Sequence, residues 1–205
     1  MATIDLKREL RDQYSAGTTP SLVTVPARPF LMVDGEGDPN TAPAYREAVA
    51  TLYPLAYALR AAVKTATGDA YTVMPLEGLW WADDMSRFSV DAKDRWRWTL
   101  MISLPDAVDQ VDAPAVVAST AQEKSLPARD GVRVERYEEG RAGQVLHRGP
   151  FATEPETIER LHAFIEAEGL SLAGLHHEIY LSDLRRTAPE KLRTLIRQPV
   201  SVSAR

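Results

Sequence analysis

Apolar positions recur along this chain in two rhythms, and their order predicts its elements. From Pro43 to about Lys64 the apolar residues Tyr45, Val49, Leu52, Ala56, Leu59 and Val63 fall at three- and four-residue intervals, which makes one face of a long helix. Asn40 or Thr41 can cap it, Pro43 suits its first turn, and Pro54 predicts a kink because an interior proline removes a backbone hydrogen bond. A second helix opens at the capping-box pattern Thr153-Glu154-Pro155-Glu156, carries the stripe Ile158, Leu161, Phe164 and Ile165, and stops at Gly169. Residues 106–124 predict a third, linking helix.

Between the helices the period shortens to two. Leu22 to Val33 is β-branched and apolar, with Pro26 and Pro29 confining its first part to an edge or a bend, and Asp34–Pro39 reads as a loop. Ala70–Trp81 and Trp96–Pro105 predict a pair of strands separated by the polar loop Ala82–Ser86. In the second half, Val132–Tyr137 and Gly143–Gly149 read as strands joined by a turn at Gly140–Gly143, and Leu175–Asp183 and Leu192–Val200 follow the helix. The order strand, loop, helix, strand, strand thus occurs twice, in halves of about residues 21–105 and 130–200, with an N-terminal extension over 1–20 and a tail over 201–205. That order predicts an α+β fold of duplicated βαββ units: two antiparallel sheets with outer helices and a groove where the halves meet.

Composition narrows the function classes. The 205 residues include no cysteine, which excludes disulfides, thiolate chemistry and cysteine-based zinc sites. A formal charge of −5 opposes binding to nucleic acid, which needs clustered Lys and Arg. The basic groupings Arg185-Arg186 and Arg133, Arg136, Arg141, Arg148 read as solvated faces. The N-terminus lacks the apolar core of a signal peptide, and no run approaches the roughly 20 apolar residues of a membrane span. A soluble, cytoplasmic protein without a membrane partner is expected.

The candidate chemistry gathers on Leu175–Asp183. Alternation sends Leu175, His177, Ile179 and Leu181 to one face and His176, Glu178, Tyr180 and Ser182 to the other. A carboxylate facing an aromatic-walled groove loses water, which makes it a competent base or a strong attractor of cations; on an open face it would be an ordinary solvated residue. Tyr180 shares the face of Glu178 and can donate to a substrate oxygen. Only His176 and Glu178 can converge on a metal, and no third ligand stands at a known spacing, so no metal or other cofactor is expected. His177 reads as a packed or surface residue. All four tryptophans lie between Trp80 and Trp98, a density that suits flat aromatic or cationic ligands as well as a core. Glu77, Trp80, Trp81, Trp98, Met101, His176 and Tyr137 are the candidate ligand-binding residues, with Glu178 and Tyr180 the candidate catalytic ones.

Three stretches carry a resemblance: Met74-Pro75-Leu76-Glu77-Gly78-Leu79-Trp80-Trp81, then Trp98 with Met101-Ile102-Ser103-Leu104-Pro105, and above all His176–Asp183 followed by Arg185-Arg186-Thr187-Ala188-Pro189-Glu190-Lys191-Leu192. Through them the chain resembles the GyrI-like small-molecule-binding family, in particular its stand-alone members. The resemblance implies a duplicated βαββ unit, a ligand cleft between the halves, aromatic walls and a central buried glutamate, which Glu178 matches. Similar proteins include effector domains of multidrug-responsive activators, gyrase-inhibitory proteins, and hydrolases of cyclopropane-bearing DNA-alkylating natural products. The chain leaves no room for a DNA-reading module before Leu22, so the activator role is not carried over. Pro54 and Leu184 depart from the pattern of similar proteins. Three functions follow as expectations: hydrolysis of an electrophilic cyclopropane with Glu178 as base, non-catalytic sequestering or sensing of hydrophobic or cationic aromatic ligands, and gyrase interaction. Either a monomer or a dimer is compatible with all three.

Overall fold

A computed structural model describes residues 3–82, 93–183 and 186–202. The expected loop positions 83–86, Leu184, Arg185 and the tail residues 203–205 lie outside the described residues. In chain order the elements are β1 (Thr3–Ile4), α1 (Leu6–Glu9), α2 (Arg11–Tyr14), β2 (Ser21–Val25), β3 (Arg28–Glu36), α3 (Pro43–Thr67), β4 (Ala70–Tyr71), β5 (Leu76–Trp81), β6 (Arg97–Ser103), α4 (Ala113–Glu123), β7 (Val132–Tyr137), β8 (Gly140–Arg148), α5 (Glu154–Ala167), β9 (Leu170–Leu172), β10 (His176–Tyr180) and β11 (Arg193–Val202). The fold is α+β, and β3-α3-β5-β6 and β8-α5-β10-β11 give the expected strand, helix, strand, strand order twice.

The chain divides into two compact units. The first takes its described residues from Met1–Glu9, Arg28–Met74 and Gly78–Tyr137, the second from Leu10–Ala27, Pro75–Glu77 and Glu138–Arg205. In the first unit, β3 pairs antiparallel with β6 on one side, Met32 opposite Met101, and with β7 on the other, Met32 opposite Arg133. The periodic face of α3, with Leu52, Leu55, Leu59 and Val63 buried, packs on β3. Burial of one such side chain contributes about 1.5–3 kcal/mol, so this face rather than helix propensity holds α3 in place.

In the second unit the strand order is β2-β8-β11-β10, antiparallel throughout, with β9 pairing the end of β11. Helix α5 covers it, packing Leu161 and Ile165 against Val145, Ile196 and Leu170. Gly143 makes this approach possible, because a Cβ there would stand 2.9 Å from the Ile165 side chain. Each unit also holds a strand that precedes the other repeat in sequence: β2 pairs with β8, and β7 pairs with β3. As the prolines imply, β2 is an edge strand and the chain breaks at Pro26.

Several local expectations change. Neither Asn40 nor Thr41 caps α3, whose N-cap is Ala42 without a side-chain bond; the Asn40 amide is engaged instead with Asp38, 2.8 Å from Oδ1. Thr153 stands at the N-cap of α5 but makes no side-chain capping bond; its hydroxyl donates to the Pro150 carbonyl at 2.9 Å within a 3-10 turn. The turn expected at Gly140–Gly143 is the beginning of β8, and β7 pairs with β3 rather than forming a hairpin with β8. Strand β3 runs on through Gly35, where the Trp98 ring occupies the space of a Cβ, 2.1 Å away. The linker becomes a 3-10 turn over Asp106–Gln110 and then α4, capped by Asp112 through a 3.0 Å bond from the Ala115 amide. No helix among the described residues is long and apolar enough to cross a membrane.

Candidate active site

Strand β10 carries two polar clusters on opposite faces. On one, the Tyr180 hydroxyl donates to Glu178 Oε2 at 2.9 Å, and His176 Nε2 lies 3.2 Å from Glu178 Oε1. These residues meet because positions i, i+2 and i+4 of a strand share a face. The Glu178 side chain is 14% exposed, whereas that of His176 is 6% exposed. Tyr180 is fixed further by an edge contact with Phe151, centroids 6.0 Å apart. Among the described residues no arginine or lysine pairs with Glu178, and no group of three or more side chains is arranged to hold a metal ion. A carboxylate held by hydrogen bonds, with access to solvent and no arginine or lysine partner among those residues, can take a proton from water or meet a positive charge.

The other face of β10 presents His177, which is neither a simple core nor a surface histidine. Its Nε2 lies 3.0 Å from Glu77 Oε2 and its Nδ1 lies 2.9 Å from Glu139 Oε1, with all three side chains 1% exposed. Burial alone would depress its pKa, but the Glu139 charge, the hydrogen bonds to Glu139 and Glu77, and the Glu77 charge raise it to about 9, so the ring is an imidazolium. Glu139 shows the converse balance. Burial would raise its pKa, yet the His177 and Arg197 charges and their hydrogen bonds lower it to about 2. Its second oxygen accepts from Arg197 Nη1 at 2.6 Å. The remaining Glu77 oxygen accepts from the Tyr14 hydroxyl at 2.5 Å, and Arg197 Nη2 donates to the Gln13 carbonyl.

About 97% of the chain superposes on a solved Listeria innocua protein with 36% identity and a TM-score of 0.87, covering 100% of that chain. A family model for the GyrI-like small molecule binding domain matches residues 18–201. The chain belongs to the GyrI-like small-molecule-binding family. Another Listeria innocua protein, solved as a hydrolase, is 35% identical over 97% of this chain and 100% of its own, with a TM-score of 0.86. The C-terminal domain of EcmrR shares the fold, with a TM-score of 0.57 at 12% identity over 90% of this chain and 98% of that one. Comparison with curated proteins finds no match.

Within this GyrI-like chain the other candidates fall into place by unit. Glu77, expected to bind ligand, has both oxygens engaged by Tyr14 and His177. In the first unit Trp80 stacks on Tyr45 at 6.1 Å and meets Trp96 edge-on at 5.6 Å, while Trp98 packs against Tyr45 at 5.5 Å. Trp98 and Met101 are fully buried, Trp81 is half-buried, and Tyr137 makes an edge contact with Phe30. The Trp80 indole nitrogen is buried without a hydrogen-bond partner among the described residues. Gly78 leaves room for this ring, since a Cβ there would stand 2.7 Å from that nitrogen.

Sequence reasoning missed Tyr14, Glu139 and Arg197. One signal was present for Arg197: an arginine between Ile196 and Gln198 inside an apolar strand run implies a buried anionic partner. Nothing local marks Glu139, which sits in the loop before β8.

Proposed function

We propose that this protein hydrolyses electrophilic aromatic small molecules, with a strained cyclopropane conjugated to a dienone as the substrate type. Glu178 is the general base. It takes a proton from a water molecule whose oxygen bonds to the cyclopropane carbon. The ring carbon–carbon bond breaks, its electron pair enters the dienone as a phenolate, and the phenolate regains a proton to give the phenol, so that the sum is addition of one water. The observation that carries this reading is the Glu178 carboxylate itself, held by Tyr180 and His176 at 2.9 and 3.2 Å and paired with no arginine or lysine among the described residues. The hydrolase description of a 35% identical relative that covers the whole of its own chain supports it. Detoxification of such compounds would be the physiological role.

The test is single-turnover incubation with a cyclopropanoid, read by mass spectrometry for addition of one water. Glu178→Gln should lower the rate by roughly 10²–10⁴ while product still binds, the range expected for loss of general-base help. A folded wild-type protein that adds no water, or a Glu178→Gln variant as fast as wild type, would sink the catalytic role. The lack of an arginine or lysine partner for Glu178 among the described residues also favours a second reading, in which the carboxylate is the counter-charge for aromatic cations that are bound and not turned over. In that case Glu178→Gln weakens a planar cation and leaves a neutral analogue unaffected.

A further inference from the structure

The hydrogen bonds around His177 close on themselves. From the Tyr14 hydroxyl the path runs to Glu77, His177, Glu139, Arg197 and the Gln13 carbonyl, and Gln13 is the neighbour of Tyr14 in α2. Both carboxylates use both oxygens and the imidazolium uses both nitrogens. Every group in the ring belongs to the second unit. A further bond, 2.9 Å from Gln144 Nε2 to the Asp12 carbonyl, holds the preceding residue.

Three observations show how the segment around α2 is held. None of Arg11, Asp12, Gln13 and Tyr14 is buried, so apolar packing does not fix it as it fixes α3 and α5. A polar groove of about 560 Å³, lined among others by Asp12, Gln13, Ser15, Leu22, Thr24 and Gln144, runs beside it where a core element would be close-packed. At its seat, Gln144 Oε1 and Arg197 Nε are buried without a hydrogen-bond partner among the described residues, a desolvation cost that opening to water removes. Beyond the segment, the Gly17 carbonyl accepts from the Leu146 amide at 2.8 Å, which marks a fixed end.

We propose that residues 10–16 form a strap, locked over Glu77 and His177 by this ring of side chains and able to open while the strands beneath it stay folded. The strap acts as a gate on the buried carboxylate of Glu77: closed, the Tyr14 hydroxyl occupies one Glu77 oxygen; open, that oxygen is available to solvent or to a ligand bearing a hydrogen-bond donor. The inference does not depend on Glu178 or on turnover.

Hydrogen exchange of the full chain, read by mass spectrometry, tests it. The reporters are the Gln13 and Tyr14 amides, both bonded to the Leu10 carbonyl, against the amides of β8 and β11. Tyr14→Phe removes one hydrogen bond to a charged group and should raise exchange in residues 11–16 about tenfold or more, with β8 and β11 unchanged. Arg197→Lys, which keeps the charge but loses the forked reach to Gln13, should do the same. Arg11→Ala, outside the ring, should change nothing. Unaltered exchange at 11–16 in Tyr14→Phe would overturn the proposal, and so would an equal rise in β8 and β11, because the ring would then be a brace of the whole unit.

Discussion

Glu178 and Glu77 are both strand glutamates within the second unit, on β10 and at the start of β5, and their surroundings give them opposite properties. Glu178 accepts a hydroxyl hydrogen bond from Tyr180, lies beside His176 and keeps 14% of its side chain in contact with solvent. Glu77 is 1% exposed and meets an imidazolium that a second buried carboxylate, Glu139, also holds, with Arg197 beyond. A charge with hydrogen-bonding neighbours and an opening can exchange protons or partners. A charge inside a balanced ring cannot do so while the ring is closed, because each member left alone would be an unpaired buried ion. The comparison teaches that the type of residue does not decide the role; what surrounds it does.

The largest expected effect comes from breaking that balance. Glu139→Gln removes the negative charge that faces both His177 and Arg197 and should destabilise the protein by about 3–5 kcal/mol, seen as a lower midpoint in urea unfolding with an unchanged slope. Next in size is the dependence on pH. His177 holds its proton up to about 9 in the folded state against 6.5 ordinarily, so its contribution is complete below about pH 6.5 and is lost as pH rises through about 9. Glu139, at about 2 against 4.5, contributes fully above about pH 4.5 and loses that contribution as pH falls towards 2. Unfolding midpoints measured from pH 5 to 10 should therefore decline on the alkaline side, and the decline should shrink in Glu139→Gln, which lacks the partner that most raises the pKa of His177. A flat alkaline profile in the wild type would mean that His177 is not charged in the fold.

The two clusters were not equally legible in the sequence. His176, Glu178 and Tyr180 share one strand, and a period of two places them on one face with no knowledge of the rest of the fold. The helices α3 and α5 were legible for the same reason, their stripes being local, and Gly169 marks the end of α5 with a φ of 71°. The ring joins residues 63, 100, 38 and 58 positions apart, and no periodic pattern connects such distances. The pairing of β2 with β8 and of β7 with β3 was hidden in the same way, because short connections favour a hairpin partner and tertiary packing chose another. The capping pattern at Asn40 failed because α3 begins at Pro43 with Ala42 as its N-cap, and at Thr153 the residue stands at the N-cap with its hydroxyl turned to the Pro150 carbonyl and no amide of the first turn bonded to it.

Smaller substitutions sharpen the contrast from the other side. Tyr180→Phe deletes one of the donors to Glu178 and should cost about 0.5–1.5 kcal/mol of stability, because the freed oxygen can turn to water. The smallest change is expected at Glu178 itself. Glu178→Gln keeps the shape and an acceptor for the Tyr180 hydroxyl, and it abandons no arginine or lysine partner among the described residues, so the unfolding free energy should move by less than about 1 kcal/mol. Measured beside Glu139→Gln under one set of conditions, it isolates the surroundings as the variable, since the chemical change is identical at the two positions. If instead the Glu178 variant lost as much stability as the Glu139 variant, Glu178 would be a structural charge of the same kind as Glu77, and the case for a reactive carboxylate on β10 would go with it.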